Sequence, residues 1–202
     1  MQDHAQLLSG FIPMEGMELI TSLLKEYEVE IVVKKARKSK LGDFRPGMEG
    51  KIARITVNGN LNRYAFLITL LHEIAHLKAH SCHGKGIKPH GREWKEIFAN
   101  IASPCLNGNM LPPDVKKAFG NYLRNPAASS TSHRELHHTL GKYSPGDDKP
   151  WLESLPQGAH FELNGRRFKK GKQLRKRFQC REVSSGKLFL VGPMAAVKIV
   201  EK

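Results

Sequence analysis

The chain has 202 residues, enough for one proper hydrophobic core and a small appendage but not for two large domains. Lys and Arg number 33 against 19 Asp and Glu, a formal net charge of +14 that favours a polyanionic partner such as nucleic acid. Hydrophobic residues at 40% and charged residues at 26% describe a globular chain and exclude wholesale disorder. No apolar run approaches the roughly 18 residues of a membrane helix, and the N-terminus lacks the basic region and apolar core of a secretory signal. Cys82, Cys105 and Cys180 are too few and too scattered for a disulfide framework or a four-cysteine zinc site. The expectation is a cytoplasmic protein with no membrane partner, nucleoid-associated or nuclear when bound to DNA.

Apolar positions Leu19, Ile20, Leu23, Leu24 and Tyr27 form a helical stripe between Met14 and Glu28. Glu30 to Val33 switches to β-branched residues and predicts a strand, followed by the basic run Lys34, Lys35, Arg37, Lys38, Lys40 and by turn chemistry at Gly42, Asp43, Pro46 and Gly47. Lys51 to Val57 alternates as a second strand and stops at Asn58-Gly59-Asn60. Asn60 or Asn62 can cap the next helix, which is apolar on most sides from Tyr64 to Leu77 and therefore belongs in the core. After a polar loop from Ser81 to Pro89, Trp94, Ile97, Phe98 and Ile101 mark another helix, broken near Pro104. Pro113 starts a short one that runs to Tyr122.

These patterns place a first domain at 1–125 and a weakly patterned linker at 126–156, with one helical candidate at Glu135 to Leu140. A small basic β domain follows at 157–202, with Asn164-Gly165 and Ser184-Ser185-Gly186 as hairpin turns. The fold class is α+β.

The string His72-Glu73-Ile74-Ala75-His76 lies on the buried helix. Residues four apart share a helix face, so both imidazoles can bind one Zn²⁺, while Glu73 sits beside that face, placed to act on water at the metal. A catalytic zinc needs a third ligand and an open position. Cys82 stands where one short-spaced pattern would put a histidine. His80 continues the spacing one turn too far along the axis. His90, at the entrance to the Trp94 helix in His90-Gly91-Arg92-Glu93-Trp94, is favoured, with Glu93 and Glu96 as alternatives.

HEIAH followed by HGREW, and preceded by the buried LITLL run, resembles the SprT-like (Spartan-type) zinc metalloprotease family. The family pattern of an H-E-x-x-H helix, a variable loop and an H-G-x-x-[WF] helix start maps onto His72, Glu73, His76 and His90, and Leu41 to Pro46 resembles the family's approach to its active helix. The likeness runs from Met14 to Tyr122. It implies a zincin-like α+β domain, one Zn²⁺ and endopeptidase activity, which in Spartan-type members acts on proteins attached to DNA. The tail resembles the zinc ribbon that ends many family members, stripped of its metal: only Cys180 remains there.

Ten basic residues stand against Glu182 alone between Gly165 and Lys187. Such an excess costs self-repulsion unless a polyanion binds it, so Arg166, Arg167, Lys169, Lys170, Lys172, Arg175, Lys176 and Arg177 are the candidate DNA contacts. Nothing reads bases, so binding would be phosphate-driven and not sequence-specific. The reading is therefore a zinc metallopeptidase with a protein substrate held near DNA. The alternative is a non-catalytic protein in which zinc stabilises the fold and the tail binds nucleic acid.

Overall fold

The computed structural model describes residues 3–37, 39–48, 50–127, 133–144 and 149–201. The chain divides into two units, residues 1–144 and 145–202, and both sequence-predicted classes of element are present: it is a mixed α+β protein with two sheets.

The first unit opens with helix α1 (His4–Leu8), a 3₁₀ turn at Met14–Gly16 and α2 (Met17–Leu24). The predicted stripe from Met14 to Glu28 is thus shorter and begins as a tighter turn. A three-stranded sheet follows, built from β1 (Val29–Lys34), β2 (Gly42–Arg45) and β3 (Ala53–Asn58) in the order β1-β3-β2. β1 pairs parallel to β3, and β2 pairs antiparallel to its other side. β2 carries the residues read as turn chemistry. Four residues of edge strand rich in Gly and Asp show little β pattern of their own, and pairing with β3 is what extends them.

Helix α3 (Arg63–His83) is the central element, and residues 65–75 are buried without a break. It packs against β2 and β3 on the sheet side and against α4 (Arg92–Ala102) on the other. Phe66, Leu67, Leu70, Leu71 and Ile74 share one core with Ile31, Ile55, Val57, Trp94 and Phe98, which is why a helix with no polar stripe is stable here. It runs on through Ser81, Cys82 and His83, residues expected in a loop, because no breaker intervenes before Gly84. That glycine ends it with a left-handed φ of 64°.

At its other end the Asn62 side chain accepts from the Tyr64 and Ala65 amides at 3.1 and 3.0 Å. Its amide nitrogen donates to Leu140 O at 2.8 Å and Ser144 Oγ at 3.0 Å. Helices α5 (Pro104–Asn107), α6 (Pro113–Leu123) and α7 (Arg134–Gly141) complete the unit. α7 falls in the stretch expected to be linker, of which 128–132 and 145–148 lie outside the described residues. Leu136 and Leu140 are buried in the first unit's core, so the boundary between units comes after α7 rather than before it.

The second unit is a five-stranded antiparallel sheet of β4 (His160–Leu163), β5 (Arg166–Gln173), β6 (Phe178–Glu182), β7 (Leu188–Val191) and β8 (Lys198–Ile199). The strand order is β7-β6-β5-β4-β8. Asn164 and Gly165 turn the first hairpin with φ of 54° and 75°, the positive pair a tight hairpin demands. Between β5 and β6 the chain turns at 174–177. Phe161, Phe168, Phe178, Cys180 and Val191 pack with Leu152 and Leu155 into a small separate core. Among the described residues, no helix is long and apolar enough to cross a membrane.

Asn62→Ala removes both the cap and the tie to α7. Urea denaturation should show the first unit losing about 1–3 kcal/mol, and an unchanged midpoint would refute this role for Asn62.

Candidate functional site

One helix and one loop bring three imidazoles together. His72 and His76 project from the same face of α3, and His90 comes from the loop just before α4. The Nε2 atoms lie 3.1 Å apart for His72 and His90, 3.0 Å for His76 and His90, and 3.3 Å for His72 and His76. A neutral imidazole Nε2 either donates or accepts, so these three contacts cannot all be hydrogen bonds; at least one pair sets like against like. A single cation shared by three lone pairs removes that conflict, and the spacing suits nitrogens each about 2.0–2.1 Å from one ion. Among the described residues this is the one cluster of histidine, cysteine and carboxylate side chains able to hold a metal. Glu93, Glu96 and Cys82 are not part of it.

The local backbone explains how His90 reaches the other two. It sits in the left-handed region at φ 59°, a conformation that costs a non-glycine residue about 1–2 kcal/mol. Gly91 follows because a Cβ there would stand 2.8 Å from Lys88 O, the carbonyl that accepts the Gly91 N–H. The Trp94 ring lies behind all three imidazoles, with centroids 4.6, 5.1 and 4.7 Å from His72, His76 and His90, and stacks in turn on Phe98. Burial pushes the His72 imidazole down to about 3, with His76 and His90 adding to the effect, and His76 down to about 4. His90 is lowered too, by burial first and then by Lys95. All three rings are therefore neutral at pH 7, the state that can donate a lone pair to a cation.

Glu73 is 7% exposed. Burial, helped by Asp43, raises its carboxyl to about 8, while Arg37, Lys40 and a hydrogen bond from the Phe44 backbone amide pull the other way. β2 lies directly against it: a Cβ on Gly42 would fall 2.5 Å from Glu73 Oε1 and 2.9 Å from Thr69 Cγ2. The result is a carboxyl beside the triad, held by one amide in a largely apolar wall. At that pKa the carboxyl is mostly protonated at pH 7, and a cation held by the neighbouring imidazoles would lower it toward the carboxylate that a base must be.

Sequence reasoning placed the three histidines and Glu73, and missed what orients them. Trp94 reads as core because it is core; its second role, as the floor under three rings, leaves no mark in the periodicity. Gly42 and Phe44 carry no signal beyond a turn. Arg37 reads as one of a basic run, yet its Nε donates to Asn58 Oδ1 at 2.7 Å.

The candidate DNA contacts separate into two groups. Arg167, Lys169, Lys172, Arg175, Lys176 and Arg177 are exposed, the last three on the β5–β6 turn. Arg166 is committed within the unit: its Nε lies 2.5 Å from Glu182 Oε1, and its guanidinium covers the Phe189 ring at 4.5 Å. Lys170 corrects the expectation outright. It is 4% exposed, and its ammonium lies over the Phe178 ring and donates to Leu155 O at 2.5 Å and Glu153 O at 3.2 Å. It points into the core because β5 alternates, which puts Phe168 and Lys170 on the inner face and Arg167 and Lys169 on the outer. Lys38, of the first basic run, lies outside the described residues.

Residues 18–117, which contain both histidine motifs, match the SprT-like family, and through this segment the chain belongs to that family. Protein SprT of Pseudomonas paraeruginosa (strain DSM 24068 / PA7) is 46% identical over 54 residues, covering 26% of this chain and 28% of that protein. Protein SprT of Pseudomonas fluorescens (strain SBW25) is 44% identical over 46 residues, covering 23% and 24%. Protein SprT of Pseudomonas syringae pv. tomato (strain ATCC BAA-871 / DC3000) is 52% identical over 33 residues, covering 16% and 20%. The matched stretch spans only between 20% and 28% of these relatives' length. No solved structure matches the chain.

His90→Ala should abolish tight metal uptake, measured by elemental analysis after gel filtration, while leaving helix content intact, since residue 90 lies outside every helix. Retention of about one metal per chain would show that the third donor lies elsewhere.

Proposed function

We propose that this protein is a zinc-dependent metalloendopeptidase that works on proteins bound or crosslinked to DNA. The observation that carries the reading is the convergence of His72, His76 and His90 within 3.3 Å of one another with the buried Glu73 one residue along the same helix. Three imidazole donors suit Zn²⁺ in particular. When bound there it would act as a Lewis acid, acidifying water and polarising a substrate carbonyl. Among the described residues the cluster has three donors rather than four, which favours a catalytic over a closed, purely structural site.

Glu73 supplies the proton traffic. Its carboxylate oxygen takes a proton from the water whose oxygen bonds to the peptide carbonyl carbon. As the carbon–nitrogen bond breaks, Glu73 gives that proton to the departing amine. The apolar surroundings that raise its pKa also strengthen it as a base. His72, His76 and His90 stay neutral throughout as donors, oriented by the Trp94 ring.

Arg167, Lys169, Lys172, Arg175, Lys176 and Arg177 would hold the protein on DNA through phosphates, with no base reading. Local concentration rather than peptide sequence would then select the substrate. The compartment is wherever that DNA lies, cytoplasmic and nucleoid-associated or nuclear, and no membrane takes part.

Incubation with a protein crosslinked to single- or double-stranded DNA tests the reading. Glu73→Gln should keep its metal and lose cleavage by at least about 100-fold. Full activity in that variant removes the proposed base. The triple change Arg175→Ala, Lys176→Ala, Arg177→Ala should weaken DNA binding uniformly across sequences and flatten its salt dependence, whereas Lys170→Ala should act on stability of the second unit. DNA affinity that falls with Lys170 and not with the turn residues would reverse the assignment.

A further inference from the structure

β2, which lies against Glu73, is held by its pairing with β3 and by packing on α3. It is four residues long, it pairs on one side only, and its residues are at most half-buried. A strand paired on one side only also depends on its flanks, and the connection leading into it is tied down by one buried side chain.

Asn58, the last residue of β3, is 1% exposed. Its Oδ1 accepts from Arg37 Nε at 2.7 Å, and its Nδ2 donates to Arg37 O at 3.2 Å and Lys40 O at 2.9 Å. Its backbone N–H donates to Leu41 O at 2.8 Å, and the next amide, Gly59, donates to Lys34 O at 2.8 Å. Arg37 returns the contact, with a terminal guanidinium nitrogen 3.5 Å from Leu41 O. The residue after Leu41 is Gly42, the one whose missing side chain lets Glu73 Oε1 in, and two further on is Phe44, whose amide binds the same carboxylate.

We propose that Asn58 and Arg37 are positioning residues for Glu73: they lock the connection that carries β2, and β2 sets the carboxylate through Gly42 and the Phe44 amide. This rests on the reading of Glu73 as the proton acceptor. Neither residue touches the triad, and both act through the backbone they hold. The bonds are mutual, so loss of either partner strands the other: without the Asn58 amide, the Arg37 and Lys40 carbonyls and Arg37 Nε all lose their protein acceptor or donor. A carboxylate released to shift by even 1 Å is enough to cost about 100-fold in rate. Arg37 is also one of the two cations that act on Glu73, so the clamp fixes a charge as well as a strand.

The test uses the 202-residue, zinc-loaded chain and three variants. Asn58→Ala breaks the clamp. Arg37→Lys keeps the charge but lacks the planar fork, and is the milder change should Asn58→Ala fold poorly. Lys35→Ala removes a charge from the same connection at an exposed position and serves as the control. Amide exchange at Phe44, followed by NMR, reads the clamp without substrate; kcat and KM on the crosslinked protein–DNA substrate read its consequence. Asn58→Ala and Arg37→Lys should speed Phe44 exchange at least about tenfold and lower kcat about 10- to 100-fold. KM and zinc content should stay as in the wild type, and Lys35→Ala should match the wild type throughout. Unchanged Phe44 exchange in both clamp variants overturns the proposal, as does a loss of kcat that merely tracks a loss of zinc. A wild type that cleaves nothing while the variants still free Phe44 would support the positioning of the carboxylate and remove its reading as a base.

Discussion

Three imidazole nitrogens within 3.3 Å of one another are an unfavourable arrangement unless a cation shares them, and much of the first unit is organised around tolerating it. Two of the rings come from helical spacing on α3, which is buried along most of its length. The third needs a strained backbone at His90 and a glycine at 91 that lets a carbonyl approach. Trp94 closes the back of the triangle. Burial disfavours the charged form of every ring, so no like-charge repulsion is added and the lone pairs stay available.

The same burial shapes the carboxyl beside the triad. A carboxyl on a core helix has few ways to remain ionised, and Glu73 has one amide and two cations at a distance. Its environment comes from outside the helix that bears it: a short edge strand and the loop before it, fixed by Asn58 and Arg37. Helix and strand therefore contribute different things. α3 supplies rigid spacing between ligands, and β2 supplies the polar edge that tunes the group beside them.

The strongly periodic parts of the chain were legible in advance. α3 was marked by an apolar surface on most sides, α4 by Trp94, Phe98 and Ile101, and the first hairpin of the second unit by Asn164-Gly165. The candidate site residues were legible because two histidines four apart with a glutamate between them form a literal string. What stayed hidden were features that depend on partners distant in sequence. β2 becomes a strand only through β3. α7 was legible as a helix at Glu135 to Leu140, but its place in the first unit's core was not, because it buries Leu136 and Leu140 alone among large apolar groups. Lys170 looks like surface charge because alternation of basic residues along β5 gives no warning that one of them faces inward. Its buried ammonium is satisfied by carbonyls of the 152–155 turn, a contact no local pattern announces.

The central claim is that one metal ion sits among three imidazoles with a further coordination position left to solvent. X-ray absorption on the zinc-loaded protein measures this directly. The account predicts three imidazole nitrogens and one additional light-atom neighbour at about 2.0–2.1 Å. A shell containing sulfur, or a six-oxygen shell without imidazole scattering, would contradict it.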